Sequence, residues 1–184
     1  MDEPATPPMR TGDEIIARQR DIAAVQGEAY RLAVEAMAVE NGIREARAGG
    51  YLIGFSTRAA EGTYAARDGR LVWTEPPPDA NTHLTVVVAD AGDGRFVPQL
   101  DVTVTVLSGG DGLFTTNLPF LWHPFLHQYG TNARVPGEGP FDVAVRVGVP
   151  RFVRQDPLDS RHFAEPAEVS FPEVRFRTGT RLRR

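Results

Sequence analysis

The chain has no cysteine and no lysine among its 184 residues. Without cysteine there can be no disulfide framework, thiolate zinc site, iron–sulfur cluster or cysteine nucleophile, so any metal must bind to histidine, carboxylate or amide ligands. All 20 basic residues are arginine, which we interpret mainly as genomic base-composition bias. The net charge of −4 provides no global positive field of the kind that recruits nucleic acid, so we expect no nucleic-acid partner.

Long apolar runs are also missing, because charged residues, glycine or proline interrupt each one well short of the roughly 20 residues that cross a bilayer. We therefore expect no membrane insertion. Residues 1–8 are acidic and Pro-rich and lack the features of a secretory signal. The sequence as written predicts a cytoplasmic protein, or a periplasmic or extracytoplasmic one if the N-terminus was trimmed.

The motifs GxGxxG, GxSxG, HExxH and the P-loop are absent, so dinucleotide, hydrolase, zincin and NTP chemistry have no support. We expect no enzyme and assign no catalytic residue.

The N-terminal part predicts a helix from about residue 13 to residue 40. Thr11 and Glu14 have the spacing of a capping box, and a stripe of apolar residues then follows with steps of three and four. The stripe comprises Ile15, Ile22, Val25, Ala29, Leu32, Ala36, Val39 and Ile43. It predicts packing against the β domain or, alternatively, a seam between two copies, in which the small Ala29 and Ala36 would permit close approach.

From Tyr51 onward, glycine and proline are frequent and short β-branched runs recur about every ten residues, which is typical of an all-β sandwich. The predicted strands cover 51–57, 71–74, 83–89, 100–107, 141–150 and 169–176. We predict a mainly β, immunoglobulin-like antiparallel β-sandwich with an N-terminal helical arm. The predicted division is a disordered start over 1–12, a helical arm over 13–50, a β-sandwich domain over 51–177 and an Arg-rich tail over 178–184.

All four histidines lie in the β domain, at His83, His123, His127 and His162. Imidazole is a common ligand of iron, copper and zinc, and a site without cysteine needs several such groups to converge. His123 and His127 are four residues apart, so a turn beginning at Pro124 would place both on one side.

Several ordered motifs between residues 81 and 171 resemble the periplasmic iron-transport accessory proteins and related metal-binding lipoproteins. His83-Leu84-Thr85-Val86 resembles that family's His-Leu-Glu strand. The other matching segments are Gly94-Arg95-Phe96-Val97-Pro98-Gln99-Leu100, Leu118-Pro119-Phe120, Gln128-Tyr129-Gly130-Thr131-Asn132 and Arg154-Gln155-Asp156. The resemblance implies an immunoglobulin-like sandwich, often dimeric, that binds iron or copper through histidines.

The chain departs from that pattern at most of the implied ligand positions, and only His83 keeps its histidine. The altered positions are Thr85 for the glutamate, Phe120 or Leu121 for a methionine, and Gln128 and Gln155 for histidines. His127 is displaced by one residue, which in an extended segment points its side chain to the opposite face.

The predicted function is divalent-metal binding, with Fe²⁺ or Cu²⁺ held by His83, His123 and His127. Gln128, Gln155 and His162 are possible altered or additional ligands. We expect affinity to fall below about pH 6 as the imidazoles protonate. The expected partners are a second copy, as a homodimer, and a membrane permease. The alternative is a degenerate relative without metal that acts as a protein-interaction module.

Overall fold

The computed structural model describes residues 12–154 and 161–182 of the chain. One long helix, α1, covers Gly12–Asn41 and is followed by thirteen strands. The strands are β1 (Arg44–Ala48), β2 (Tyr51–Arg58), β3 (Ala60–Glu61), β4 (Thr63–Arg67), β5 (Arg70–Thr74), β6 (Thr82–Asp90), β7 (Val102–Ser108), β8 (Asp111–Leu118), β9 (Phe120–Leu121), β10 (Gln128–Ala133), β11 (Phe141–Val147), β12 (Ala167–Val174) and β13 (Thr180–Arg181).

The sandwich has a five-stranded sheet, in the order β1-β2-β6-β10-β9, and a four-stranded sheet, in the order β12-β11-β7-β8. All pairings within these two sheets are antiparallel. The predicted fold class, a mainly β sandwich with an N-terminal helix, is confirmed. The six predicted strands fall on β2, β5, β6, β7, β11 and β12.

The core lies between the sheets and follows the two-residue period of the strands. Val102, Val104 and Val106 of β7 are buried, and so are the alternate residues of β11 from Phe141 to Val147. In β6 the residues Leu84, Val86 and Val88 belong to the same core. The neighbouring residues of β6 therefore point to the other face of the five-stranded sheet.

Helix α1 lies over that outer face, and the structure corrects how it packs. Its inner stripe comprises Ala23, Gly27, Tyr30, Val34 and Met37, and Val34 packs with Val87 and Leu126. The predicted stripe is turned outward instead, with Val25 70% and Leu32 53% exposed, except for Ile43, which follows the helix and packs beside Val87. The helix therefore does not bury the predicted stripe against the β domain.

The termini of the predicted segments also differ from the structure. The arm predicted over 13–50 is helical only to Asn41, and β1 pairs with β2 as an edge strand. The disordered start predicted over 1–12 lies outside the described residues except for Gly12, the first residue of α1. In the C-terminal tail, β13 pairs with β3 in parallel. Within the described ranges, no helix has the length and apolarity needed to cross a membrane.

Candidate metal centre

His83 lies on β6 and is almost completely buried, with 1% of its surface exposed. Because Leu84 and Val86 face the core, His83 and Thr85 face the outer side of the five-stranded sheet, over which α1 packs. The strand register places Arg58 of β2 on one side of His83 and Asn132 of β10 on the other. The imidazole is therefore held by the central strand of the sheet.

The hydrogen bonds of Asn132 determine the tautomer of His83. The amide group of Asn132 donates from Nδ2 to the carbonyl oxygen of Glu61 and accepts through Oδ1 from the Glu61 N–H, over 2.8 and 3.2 Å. These two bonds orient the amide so that Oδ1 is the atom facing the ring. His83 Nδ1 lies 3.0 Å from this oxygen and must therefore carry the proton.

The other ring nitrogen, Nε2, consequently has a free lone pair in a buried position. No hydrogen-bond partner of Nε2 is found in the part of the chain that the structure describes. This atom lies against Gly130, where an added Cβ would be only 2.7 Å from it. Glycine at this position makes the space in which the ring sits.

Burial, followed by the nearby Arg58 guanidinium, lowers the pKa of His83 to about 4, although the hydrogen bond to Asn132 acts in the opposite direction. The imidazole is therefore neutral at pH 7 and its lone pair is available to a ligand. Arg58 is paired with Glu61 at 2.5 Å, which offsets part of its positive charge.

Gln128 supplies a second buried donor on the same side of the sheet. Its side chain is 3% exposed, and Oε1 has no hydrogen-bond partner among residues 12–154 and 161–182. Gln128 and Gly130 are two apart on β10, so both point to the face that carries His83. The outer face of the sheet thus carries two buried atoms without a described hydrogen-bond partner, one imidazole nitrogen and one amide oxygen.

His127 points away from this face. Its ring stacks on Phe120 at a centroid distance of 5.8 Å and packs against Phe96 at 5.7 Å. Its carbonyl oxygen accepts a hydrogen bond from the Tyr30 hydroxyl over 2.7 Å. The one-residue displacement relative to Gln128 has the expected effect of turning the side chain to the other side of the strand.

His123 and His162 are also separate from His83. His123 is exposed, and its Nδ1 accepts the N–H of Phe125 at 3.3 Å. His162 Nε2 lies 2.8 Å from Oδ2 of Asp90. Asp90 ends β6, seven residues from His83 and thus about 23 Å along the strand.

The structure therefore does not assemble the predicted set of histidines. Gln155 lies outside the described residues. Among those that are described, no group of three or more His, Cys, Asp and Glu side chains is placed to hold a metal ion. Gln128 shares the outer face of the sheet with His83, whereas His127 stacks on Phe120 and His123 is exposed. Sequence reasoning missed Arg58, Gly130 and Asn132, although Gly130 and Asn132 belong to the quoted Tyr-Gly-Thr-Asn motif.

The likeness of this chain to known proteins lies in its fold. No protein-family model matches the chain, and no curated protein matches it in sequence. Solved structures do match: copper-reconstituted P19 of Campylobacter jejuni is 14% identical, with a TM-score of 0.57 over 75% of this chain and 96% of that one. FetP of uropathogenic Escherichia coli strain F11, in its as-isolated form, is 15% identical, with a TM-score of 0.55 over 74% and 95%.

A copper-bound variant of the same FetP, with a single glutamate-to-glutamine substitution, is 16% identical, with a TM-score of 0.53 over 74% of this chain and 97% of that chain. All three matches include nearly the whole of the other protein and about three quarters of this one. The resemblance indicated by the sequence motifs is therefore confirmed at the level of the fold.

Proposed function

We propose that this protein binds a divalent transition-metal ion, with Nε2 of His83 as the anchoring ligand and Oε1 of Gln128 as a second donor. The observation that carries the proposal is the buried lone pair of Nε2. Leaving a buried acceptor without a partner costs about 1–3 kcal/mol, so a fold that keeps one at the centre of a sheet has a use for it.

The surroundings of His83 support this assignment. A metal-bound histidine usually donates its other ring N–H to a carboxylate, carbonyl or water, which sets the tautomer and the ring orientation. The amide oxygen of Asn132 serves that purpose here. The solved structures with the same fold include copper-bound forms of P19 and FetP.

The described donor set is smaller than a complete coordination sphere and contains no carboxylate. Imidazole suits copper, iron and zinc, and for a given site Cu²⁺ binds more tightly than Fe²⁺ or Mn²⁺. We therefore expect Cu²⁺ to bind most tightly in vitro, whichever metal the cell supplies.

The test is calorimetric titration of the purified chain with Cu²⁺ and Fe²⁺ near neutral pH, beside elemental analysis. His83→Ala should abolish binding, whereas the matched control His123→Ala, which removes an exposed imidazole, should leave it unchanged. Equal affinity in wild type and His83→Ala would remove His83 from the site.

The setting that we propose for such a site is iron or copper uptake in an extracytoplasmic compartment, beside a membrane permease. The resemblance of the 81–171 segment supports this setting. Cell fractionation of the native host, with detection by antibody, tests it, and recovery in the cytoplasmic fraction alone would contradict it.

The second candidate is a relative without metal that acts as a protein-interaction module. Two features of the described residues favour it. They provide few metal-donor atoms, and an apolar stripe of α1 is exposed to solvent. Absence of Cu²⁺ and Fe²⁺ binding by the wild type would select this candidate.

A further inference from the structure

Leu121 lies beside the buried lone pair of His83. It pairs with Gln128 across β9 and β10, so both side chains point to the outer face that carries His83. A Cβ added to Gly130 would lie 2.7 Å from Nε2 of His83 and 2.9 Å from Cδ1 of Leu121. The imidazole nitrogen and the leucine methyl group therefore flank the same narrow space above Gly130.

Exposure to solvent rises along this row of residues from the centre of the sheet to its edge. His83 on β6 is 1% exposed and Gln128 on β10 is 3% exposed, whereas Leu121 on the edge strand β9 is partly exposed. Solvent thus reaches the leucine side chain but not the two polar side chains behind it. A way from solvent to Nε2 along the outer face therefore leads past Leu121.

Other sides of His83 are closed by contacts that are held more firmly. Asn132 covers the Nδ1 side, and its amide group is fixed by two hydrogen bonds to the backbone of β3. Towards α1, the same face carries a buried apolar cluster of Val34, Val87 and Leu126. Leu121, in contrast, belongs to a strand of only two residues at the edge of the sheet. Local opening requires least free energy where few buried contacts are broken, which favours movement at Leu121.

We propose that Leu121 is a gate that controls the access of metal ions and small molecules to Nε2 of His83. This inference rests on the proposed function, because it concerns the same anchoring nitrogen. In the position that the structure shows, the leucine side chain shields the lone pair from solvent. Rotation about the side-chain bonds of Leu121 uncovers Nε2 without moving the backbone, since partly exposed side chains exchange rapidly between staggered rotamers.

An apolar gate affects the rates of binding more than the affinity. Leucine has no donor atom for a metal ion, so it adds no bond to the coordination of a metal at His83. A cover that closes over the free and the occupied site slows entry and release alike. The gate therefore predicts that truncation of Leu121 changes both rate constants together.

Access can be measured without metal by reaction with diethyl pyrocarbonate, which acylates the unprotonated nitrogen of a neutral imidazole. Peptide mass spectrometry distinguishes His83 from the other three histidines. In the wild type, the exposed His123 should react fast and His83 slowly. Leu121→Ala should raise the rate at His83 at least about tenfold, because it removes the cover and leaves the remaining contacts in place. An unchanged rate, in a variant that circular dichroism shows to be folded, would overturn the proposal.

Two control variants separate the gate from a general loosening of the fold. Leu113→Ala is the matched control, because it truncates a leucine that is 41% exposed on β8, the edge strand of the other sheet. Val104→Ala removes packing between the sheets and should lower the stability without uncovering His83. Both should leave the rate at His83 close to that of the wild type. A rise in either control as large as that in Leu121→Ala would show that opening of the whole fold exposes His83.

Stopped-flow mixing with Cu²⁺ tests the consequence for metal binding. Leu121→Ala should raise the association and dissociation rate constants together and leave the dissociation constant almost unchanged. Unchanged rate constants beside faster acylation would show that Leu121 does not control metal entry. A wild type that binds no Cu²⁺ would contradict the proposed function, and the acylation rates would then decide by themselves whether Leu121 covers Nε2 of His83.

Discussion

His83 and Asn132 face each other across β6 and β10, and the amide oxygen of Asn132 accepts the Nδ1–H of the imidazole over 3.0 Å. The same amide group is held by two hydrogen bonds to the backbone of Glu61. The backbone of β3 therefore determines the tautomer of His83: Nδ1 carries the proton and Nε2 keeps its lone pair.

Replacing Asn132 with alanine should affect both stability and metal binding. Three hydrogen bonds are lost in a partly buried place, so we expect a loss of about 1–3 kcal/mol in the free energy of unfolding. Loss of the group that orients the imidazole should weaken Cu²⁺ binding by about 10–100-fold. Urea unfolding and calorimetric titration measure the two effects.

The control for Asn132 is Asn117→Ala, whose amide oxygen accepts only the exposed hydroxyl of Thr103 among the bonds described for it. It should change neither quantity appreciably. An Asn132→Ala protein with wild-type Cu²⁺ affinity would show that this amide does not position the ligand.

Gly130→Ala should displace His83. The added Cβ would lie 2.7 Å from Nε2 of His83 and 3.0 Å from the carbonyl oxygen of Leu84, and backbone in a central sheet cannot move away easily. We expect a destabilisation of about 1–3 kcal/mol in urea unfolding. Gly112→Ala on β8 has open space around its Cβ and should be nearly neutral. Equal stability of the two variants would contradict the close packing at Gly130.

Acid should destabilise the protein through His83. Its pKa is about 4 in the folded chain against an ordinary value of 6.5, so the unfolded chain binds more protons between these values. Stability is therefore retained above about pH 6.5 and falls as the pH is lowered towards 4, by up to roughly 3 kcal/mol from this group. Urea unfolding at a series of pH values measures the fall.

The variant His83→Gln, which cannot titrate, should lack this part of the pH dependence, whereas His123→Ala should keep it. If the unfolding free energies of wild type and His83→Gln change with pH in parallel, His83 is not the group responsible for this loss of stability. The same pKa changes the expectation for metal binding, because protons compete for the His83 nitrogen near pH 4 rather than below about pH 6.

Gly27→Ala should loosen α1 from the β domain. Alanine favours a helix over glycine by about 1 kcal/mol, but its Cβ would lie 1.7 Å from the carbonyl oxygen of Asp93. The clash should outweigh the propensity and lower the stability by about 2 kcal/mol or more. Gly12→Ala, with no atom near its Cβ, should change stability by less than roughly 0.5 kcal/mol. A Gly27→Ala protein more stable than the wild type would show that helix and loop separate easily.

The sequence predicted well where a pattern is local and repeated. β7 and β11 alternate valine with polar residues, and that period identifies both the strand and its buried face. β8 and β10 were not predicted, because their aspartate, asparagine and glycine residues have low strand propensity and interrupt the strand-favouring ones. Hydrogen bonds to β7 and β6 form these strands, and such pairing is not visible in the segments themselves.

By itself the sequence determined the sandwich, the helix and the family resemblance around His83, because side-chain period, helix propensity and motif order are properties of neighbouring residues. Tertiary structure decided the direction of α1 and the surroundings of His83. The helix has two apolar stripes with the same three-and-four spacing, so periodicity cannot choose between them. The close approach at Gly27 turned one inward and left the other exposed. In the same way, the lone pair of His83 depends on Asn132, Glu61 and Gly130, which meet only because β3, β6 and β10 come together in the folded chain.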